Sequence, residues 1–256
     1  MSDKVTGIIK EETPAYKSFF NWSGGKDSAL ALYHTLRNKN YLVEKLLTNI
    51  NKQYGRISMH GVREELLEQQ ATAIGIPLQK LVLPDQPSMA HYEEQMMQTM
   101  WQLQQEEFTH SMFGDIFLED LKKYRETQLA KVNMTAVFPL WKKDTTELIR
   151  EFIDLGFKTI VVCVKADLLD ESFAGRIIDE DFLKDLPGNV DPCGENGEFH
   201  TFVFDGPVFQ KPVLFKPGEK VFREYKAPAN DKDECFTNRP RTLASIGFWF
   251  CDLLCE

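Results

Sequence analysis

Short apolar runs alternate along this chain with stretches whose apolar positions recur every three or four residues. The runs at 18–22, 41–50, 78–83, 111–113 and 135–140 predict buried strands. Between them, 29–36, 61–74, 89–108 and 116–132 predict helices. In the second of these, Val62, Leu66, Leu67, Ala71 and Ile74 share one face, and Gly75 and Pro77 stop the helix. Met89, Met96, Met97 and Met100 in the third read as adaptable packing. Strands alternating with helices predict parallel βαβ units. The expected fold is α/β, an open and mostly parallel five-stranded sheet with helices on both faces. Ligands in such sheets sit at the carboxyl ends of the strands.

The rhythm continues with a helix over 145–155 and a strand over 159–164, then loosens. A short helix over 179–186, a loop over 187–197 and strands over 199–204 and 213–215 predict a smaller α/β C-terminal domain. The expected division is a nucleotide domain at 1–138, a smaller domain at 139–225 and a tail at 226–256. Residues 246–254 of that tail are strongly apolar yet too short to cross a bilayer. They are expected to dock onto the body of the protein or onto a second subunit, the latter giving a homodimer.

Composition narrows the function. The chain has 256 residues, 43% hydrophobic and 27% charged, which is ordinary for a soluble protein. A net charge of −9 argues against general nucleic-acid binding, because phosphate contacts need a surplus of Lys and Arg. The first residues lack the apolar core of a signal peptide. Five cysteines without regular spacing predict reduced thiols and a cytoplasmic location.

The chemistry is expected at Ser23-Gly24-Gly25-Lys26-Asp27-Ser28, between the first strand and the first helix. Backbone N–H groups are unpaired at a helix start and the helix dipole is positive there, which favours a bound phosphate. Gly24 and Gly25 let the backbone approach an anion closely. Lys26 adds positive charge, and Ser23 and Ser28 add hydroxyl donors. Asp27 either caps the helix or helps to hold Mg²⁺. Asn49, at the end of the second strand, falls on the same sheet edge. So does Asp115, which follows Gly114. Asp115 and Glu119 are a pair that could hold Mg²⁺ or position an acceptor, or simply favour a helix start. His60 and Arg63 flank Gly61. Arg63 is either a bidentate anchor for an acceptor carboxylate or part of a surface helix start. Farther on, Glu195, Glu198 and His200 lie in or beside a glycine loop, where a carboxylate or imidazole could act as a base or simply be solvated in a turn. Cys193 is a candidate nucleophile or a packing residue.

The hexamer resembles the pyrophosphate loop of N-type ATP pyrophosphatases, which cut ATP between the α and β phosphates. A wider resemblance is carried by Pro139-Leu140-Trp141, Glu147-Leu148, Gly156-Phe157, the run Cys193-Gly194-Glu195-Asn196-Gly197-Glu198-Phe199-His200-Thr201, and Asp205-Gly206-Pro207. On these the chain resembles the diphthine–ammonia ligase family, as a divergent branch, over about residues 18–215. Asn196, Phe199 and His200 stand where the family reads Gly, Tyr and Glu. Residues 56–63 also depart from its pattern, and Lys122 and Tyr124 stand where it tends to have arginines, while Glu126 fits.

The resemblance implies an adenine nucleotide alpha-hydrolase-like fold and an amide-forming ligase that uses ATP, with Mg²⁺, and ammonium as co-substrate. A carboxylate, protein-bound or small, is adenylated as pyrophosphate leaves. Ammonia then displaces AMP. The expected catalytic set is Lys26, Asp115, Glu195, Glu198 and His200. The loop 23–28 with Asn49 would bind the nucleotide, and His60, Arg63, Glu119, Glu126 and Cys193 the acceptor. Two other readings stay open: a tRNA-modifying or sulfur-transferring pyrophosphatase, and a non-catalytic nucleotide-binding protein.

Overall fold

A computed structural model describes residues 15–51, 56–57, 61–84, 88–226 and 245–256. The first half is built from β1 (Tyr16–Asn21), α1 (Lys26–Arg37), β2 (Tyr41–Asn51), β3 (Arg56–Ile57), α2 (Glu64–Ile74), β4 (Leu78–Leu83), α3 (Met89–Gln105), β5 (His110–Met112), α4 (Glu119–Ala130) and β6 (Thr135–Val137). Strands β4, β2, β1, β5 and β6 lie side by side in that order, and every pairing among them is parallel. The two-residue β3 adds to β2 antiparallel. The chain runs outward from β1 through β2 to β4, then returns to lay β5 on the other side of β1. The strand order therefore reverses between β1 and β5, where open α/β sheets form their ligand crevice.

Phe19 and Phe20 show how the sheet is sealed. Both are fully buried, and as neighbours on a strand they point to opposite faces. Phe19 packs with Met100, Leu103, Leu129 and Val132, from α3, α4 and the turn after it. Phe20 belongs to the other cluster, with Leu30 and Leu32 of α1 and Leu66, Leu67 and Ala71 of α2. That second cluster continues without a break into the C-terminal half.

The C-terminal half contains α5 (Thr145–Asp154), β7 (Lys158–Lys165), a single 3₁₀ turn (Glu171–Phe173), α6 (Glu180–Asp185), β8 (Phe199–Asp205), β9 (Phe215–Lys226) and β10 (Ser245–Cys255). Its strands form a separate antiparallel sheet in the order β8-β7-β10-β9. The strand expected over 213–215 begins at Phe215 and runs to Lys226. Its lysines and glutamates conceal it in a periodicity scan, and they suit an edge strand. The apolar tail docks onto the body as β10, between β7 and β9. Cys251 and Leu253 are buried in the core and Trp249 packs against it. Those three side chains are used within the chain.

Other element ends move for local reasons. The strand expected over 135–140 stops at Val137, and Trp141 N–H then donates to the Phe138 carbonyl in a turn that holds Pro139. The helix expected from 116 starts at Glu119, and that expected from 61 starts at Glu64. No helix among the described residues is long and apolar enough to cross a membrane.

Candidate active site

The loop 23–28 is held from both sides. Gly24 has φ +78, and an added Cβ would lie 2.7 Å from Gln70 Oε1 and 2.9 Å from Leu67 Cδ2, so neither the conformation nor the space admits a side chain. Its carbonyl accepts from Gln70 Nε2 at 3.0 Å and from the Val203 N–H of β8 at 2.9 Å. Gln70 also donates to the Val203 carbonyl at 2.6 Å and accepts from Trp22 Nε1 at 2.8 Å. One fully buried amide thus ties the loop, the end of β1 and the second sheet together. Across the loop, β5 closes in through Gly114. A Cβ there would meet Ser28 N at 3.0 Å and the Asp27 backbone at 3.1 Å.

Helix α1 begins at Lys26 with Gly25 as its N-cap, a residue with no side chain to cap the helix. Its positive end faces a cavity of about 580 Å³ lined by the loop, the ends of β1, β2 and β5, and most of residues 193–201. The Lys26 N–H donates to Thr201 Oγ1 at 3.0 Å, and Ser23 Oγ lies 3.1 Å from Ser28 Oγ. The Lys26 ammonium is buried. It donates to both Asp27 carboxylate oxygens at 2.8 Å and lies 5.5 Å over the Phe199 ring. Burial opposes its charge, but the charge and hydrogen bond of Asp27 outweigh it and hold the ammonium protonated above its ordinary range.

Acidic groups face this lysine. Burial, then the charge of Asp27, pushes the Glu195 carboxyl up to about 8. Burial also raises Asp115, against the pull of Arg125, whose Nε lies 3.0 Å from Oδ2 and whose Nη2 donates to Oδ1 at 3.1 Å. His200 is driven down to about 4 by burial and by Lys26, so its imidazole is neutral at physiological pH.

The glycine loop before β8 is shaped by two carboxylates. Asp191 Oδ1 accepts from the Cys193 N–H at 2.8 Å and its Oδ2 from Thr145 Oγ1 at 2.7 Å. Glu198 accepts from Asp191 N–H at 3.1 Å, Asn196 N–H at 2.8 Å and Asn196 Nδ2 at 2.9 Å. Those bonds hold it ionised below the ordinary glutamate range despite burial. The carboxylate is committed to the loop, and Glu198 does not line the cavity. Cys193 does line it, but burial raises its thiol, which donates to the Thr145 carbonyl at 3.3 Å. The four described cysteines are free.

The cavity brings together Ser23, Gly25, Lys26, Asp27, Ser28 and Asn49 with Asp115, Cys193, Glu195 and His200. Three expected acceptor residues lie elsewhere. Arg63 is the N-cap residue of α2, and its guanidinium is drawn to Asp252 on β10 at 2.6 and 3.3 Å. Glu119 is exposed and pairs with Lys142 at 2.8 Å, and Glu126 is exposed and pairs with Lys122 at 3.7 Å. His60 lies outside the described residues.

Among the described residues, no group of three His, Cys, Asp or Glu side chains is arranged to hold a metal. Asp27 and Asp115 are hard oxygen donors on one cavity, and the charge of Asp27 is felt at Asp115. That donor set fits a magnesium ion arriving with phosphates, since Mg²⁺ commonly takes one or two protein carboxylates and completes its shell with water and phosphate oxygens.

Arg125 and Thr201, which line the cavity, and Gln70, which braces its loop, are positions that pattern reading missed. Gln70 did leave a signal: it is a polar residue on the face shared by Leu66, Leu67, Ala71 and Ile74. Thr201 closes the second motif. Arg125 sits in a charged helix face with nothing to single it out.

Comparison with known proteins bears on the same segments. Residues 16–135 match the family described as diphthamide synthase N-terminal domain, and 144–230 that described as diphthamide synthase C-terminal domain. A curated relative named diphthine–ammonia ligase from Homo sapiens is 30% identical over 116 residues, covering 43% of this chain and 43% of that protein. One of the same name from Danio rerio is 25% identical over 226 residues, covering 78% of this chain and 86% of that protein. Another from Schizosaccharomyces pombe is 29% identical over 130 residues, covering 44% of this chain and 22% of that protein. This chain thus spans less than half the length of the human relative in that match.

Proposed function

Because the chain belongs to the diphthamide synthase family, we propose that it is an ATP-dependent amide-forming ligase that adenylates a carboxylate and passes ammonia to it. The observation that carries this reading is the positive start of α1, with a buried lysine, opening on a cavity of about 580 Å³.

The triphosphate lies along the loop with its β and γ phosphates at the start of α1. The helix dipole and Lys26 stabilise the charge that builds on departing pyrophosphate. Thr201 accepts from Lys26 N–H, which leaves its own hydroxyl proton to donate to a phosphate oxygen. Asp27 and Asp115 would hold Mg²⁺, which adds positive charge at the phosphate oxygens when bound.

A carboxylate oxygen of the acceptor attacks the α-phosphorus, and the bond to the bridging oxygen of the β-phosphate breaks. Pyrophosphate leaves and an acyl-adenylate remains. Ammonia then attacks the acyl carbon, the carbon–oxygen bond to AMP breaks, and a proton passes from nitrogen to a base. Glu195, with its carboxyl near 8, has a conjugate base strong enough for that proton. His200 is too weak a base for it, and its neutral imidazole serves as a hydrogen-bonding wall of the cavity.

The relatives' name makes diphthine the first acceptor to try. A sulfur-transfer role is disfavoured because burial keeps the Cys193 thiol protonated. The free thiols fit a reducing compartment, and we place the protein in the cytoplasm. The test is incubation with ATP, Mg²⁺, ammonium and a panel of carboxylates that includes diphthine on its carrier protein. AMP and pyrophosphate should appear together, and Lys26→Ala should abolish both. Accumulation of ADP instead would sink the proposal.

A further inference from the structure

The main cavity continues between α3 and α4 into a side pocket of about 170 Å³. Most of its accessible lining is apolar, from Met96, Met97, Met100, Phe113, Leu121 and Leu129, with Asn49, Glu93 and Gln128 among the polar groups that share it. An apolar cavity of about 150 Å³ holds a benzene molecule, and methionines adapt to the shape of what they enclose. The space therefore suits one compact apolar group of roughly that size.

Arg125 stands where the two spaces join, and it lines both. Its guanidinium lies 4.2 Å over the Phe113 ring, which in turn stacks on Phe138 with ring centres 5.3 Å apart. Two of its N–H groups face Asp115, and the others of the planar fork remain for a second anion. Among the described residues, Lys26 and Arg125 are the permanent cations lining the main cavity. Lys26 is committed to the phosphate loop. A carboxylate approaching the α-phosphorus must be brought up against like charge, and the cation left to guide it is Arg125. A planar fork also orients a carboxylate through paired bonds, which an ammonium does not do.

We propose that this side pocket receives the apolar arm of the acceptor and that Arg125 grips its carboxylate, so that the acceptor is a carboxylic acid carried on a compact apolar group. The proposal rests on the ligase reading above and adds the acceptor's place and chemical class to it. The competing occupant is the nucleotide base. A purine is uncharged and gains little from an Arg–Asp pair. The Asn21 amide N–H₂ at the pocket mouth is already spent on Ser111 Oγ at 2.8 Å and the Met112 carbonyl at 2.9 Å.

The test is titration calorimetry on the full chain saturated with Mg²⁺ and α,β-methylene-ATP, using 3-phenylpropanoate and its neutral amide as probes. The acid should bind about tenfold or more tighter than the amide, as a charge-assisted pair implies. Arg125→Gln should erase that preference and Arg125→Lys restore part of it. Met97→Trp, which fills the pocket, should weaken acid and amide alike. Equal binding of acid and amide, no binding of either, or a preference that survives Arg125→Gln would each overturn the proposal. So would competition between adenosine and 3-phenylpropanoate in the absence of the mimic, which would make this the base pocket. If the mimic fails to bind while the acid preference and its dependence on Arg125 persist, the ligase reading falls and the carboxylate pocket stands.

Discussion

The backbone N–H of Lys26 donates to the hydroxyl of Thr201 at 3.0 Å, across the seam between the two sheets. With the Val203 N–H on the Gly24 carbonyl, this makes the phosphate loop continue the pairing of β8. On the proposed reading the second sheet is therefore part of the nucleotide site, and a change on β8 should be read out in ATP binding.

Thr201→Val keeps the shape and removes that acceptor and the hydroxyl donor. The lost bond is worth about 1 kcal/mol. KM for ATP should rise about fivefold, while the unfolding free energy falls by about 1 kcal/mol. Steady-state kinetics and urea unfolding on the same preparation check the two. An unchanged KM would mean that the second sheet does not act on the nucleotide.

Gln70→Leu should be far more damaging. It strands the buried Trp22 Nε1, removes the Gln70 donor from the Val203 carbonyl and leaves the Gly24 carbonyl with the Val203 N–H alone. Losing these buried hydrogen bonds should destabilise the fold by about 3 kcal/mol. Gln70→Glu retains an acceptor but replaces the donor with a charge, so it should not rescue stability at neutral pH. Equilibrium unfolding in urea gives the comparison.

Some of this organisation is legible before any coordinates. The strand–turn–helix around Lys26 follows from local residue types, and the βα rhythm of the first half follows from periodicity that each element carries in itself. What escaped depends on distant partners. Strand β9 reads as polar coil because its exposed edge tolerates lysine and glutamate, and it becomes a strand only by pairing with β10. Arg63 looks like an acceptor anchor beside Gly61 until Asp252, far along the chain, is seen to take it. Glu198 resembles a catalytic acid by motif, yet the N–H groups that claim it belong to a loop whose path no spacing rule supplies.

The Arg63–Asp252 pair gives a clean contrast. Its side chains are 36% and 20% exposed, and a pair that accessible contributes about 0–1 kcal/mol. Arg63→Ala should lower stability by no more than that and leave KM for ATP and for the acceptor unchanged. A selective rise in the acceptor's KM would return Arg63 to a binding role.

Removing Mg²⁺ should separate catalysis from folding. With no protein-only metal group among the described residues, EDTA should stop AMP formation while leaving the melting temperature of the nucleotide-free protein unchanged. A fall in melting temperature on chelation would reveal a resident structural metal.

Glu195 supplies the pH signature. Its carboxyl keeps a proton up to about pH 8 in the folded chain, against an ordinary value of 4.5. As a base it is active only when ionised, so the rate per unit of free ammonia should climb through about pH 8 and level off above it. Glu195→Gln should flatten that limb and lower kcat by about 10²–10³-fold. Stability should move the other way. Between the two values the folded state binds more protons than the unfolded one, so the contribution of Glu195 is undiminished below 4.5 and is lost as pH rises towards 8. Glu195→Gln, which never ionises, should match the parent near pH 4 and melt above it at pH 9, each 1 kcal/mol appearing as about 2–4 °C. Melting curves at the two pH values, read beside the rate profile, tie both effects to one proton. If the melting gap opened at pH 4 instead, Glu195 would be a paired, ionised carboxylate, and the base role would go with it.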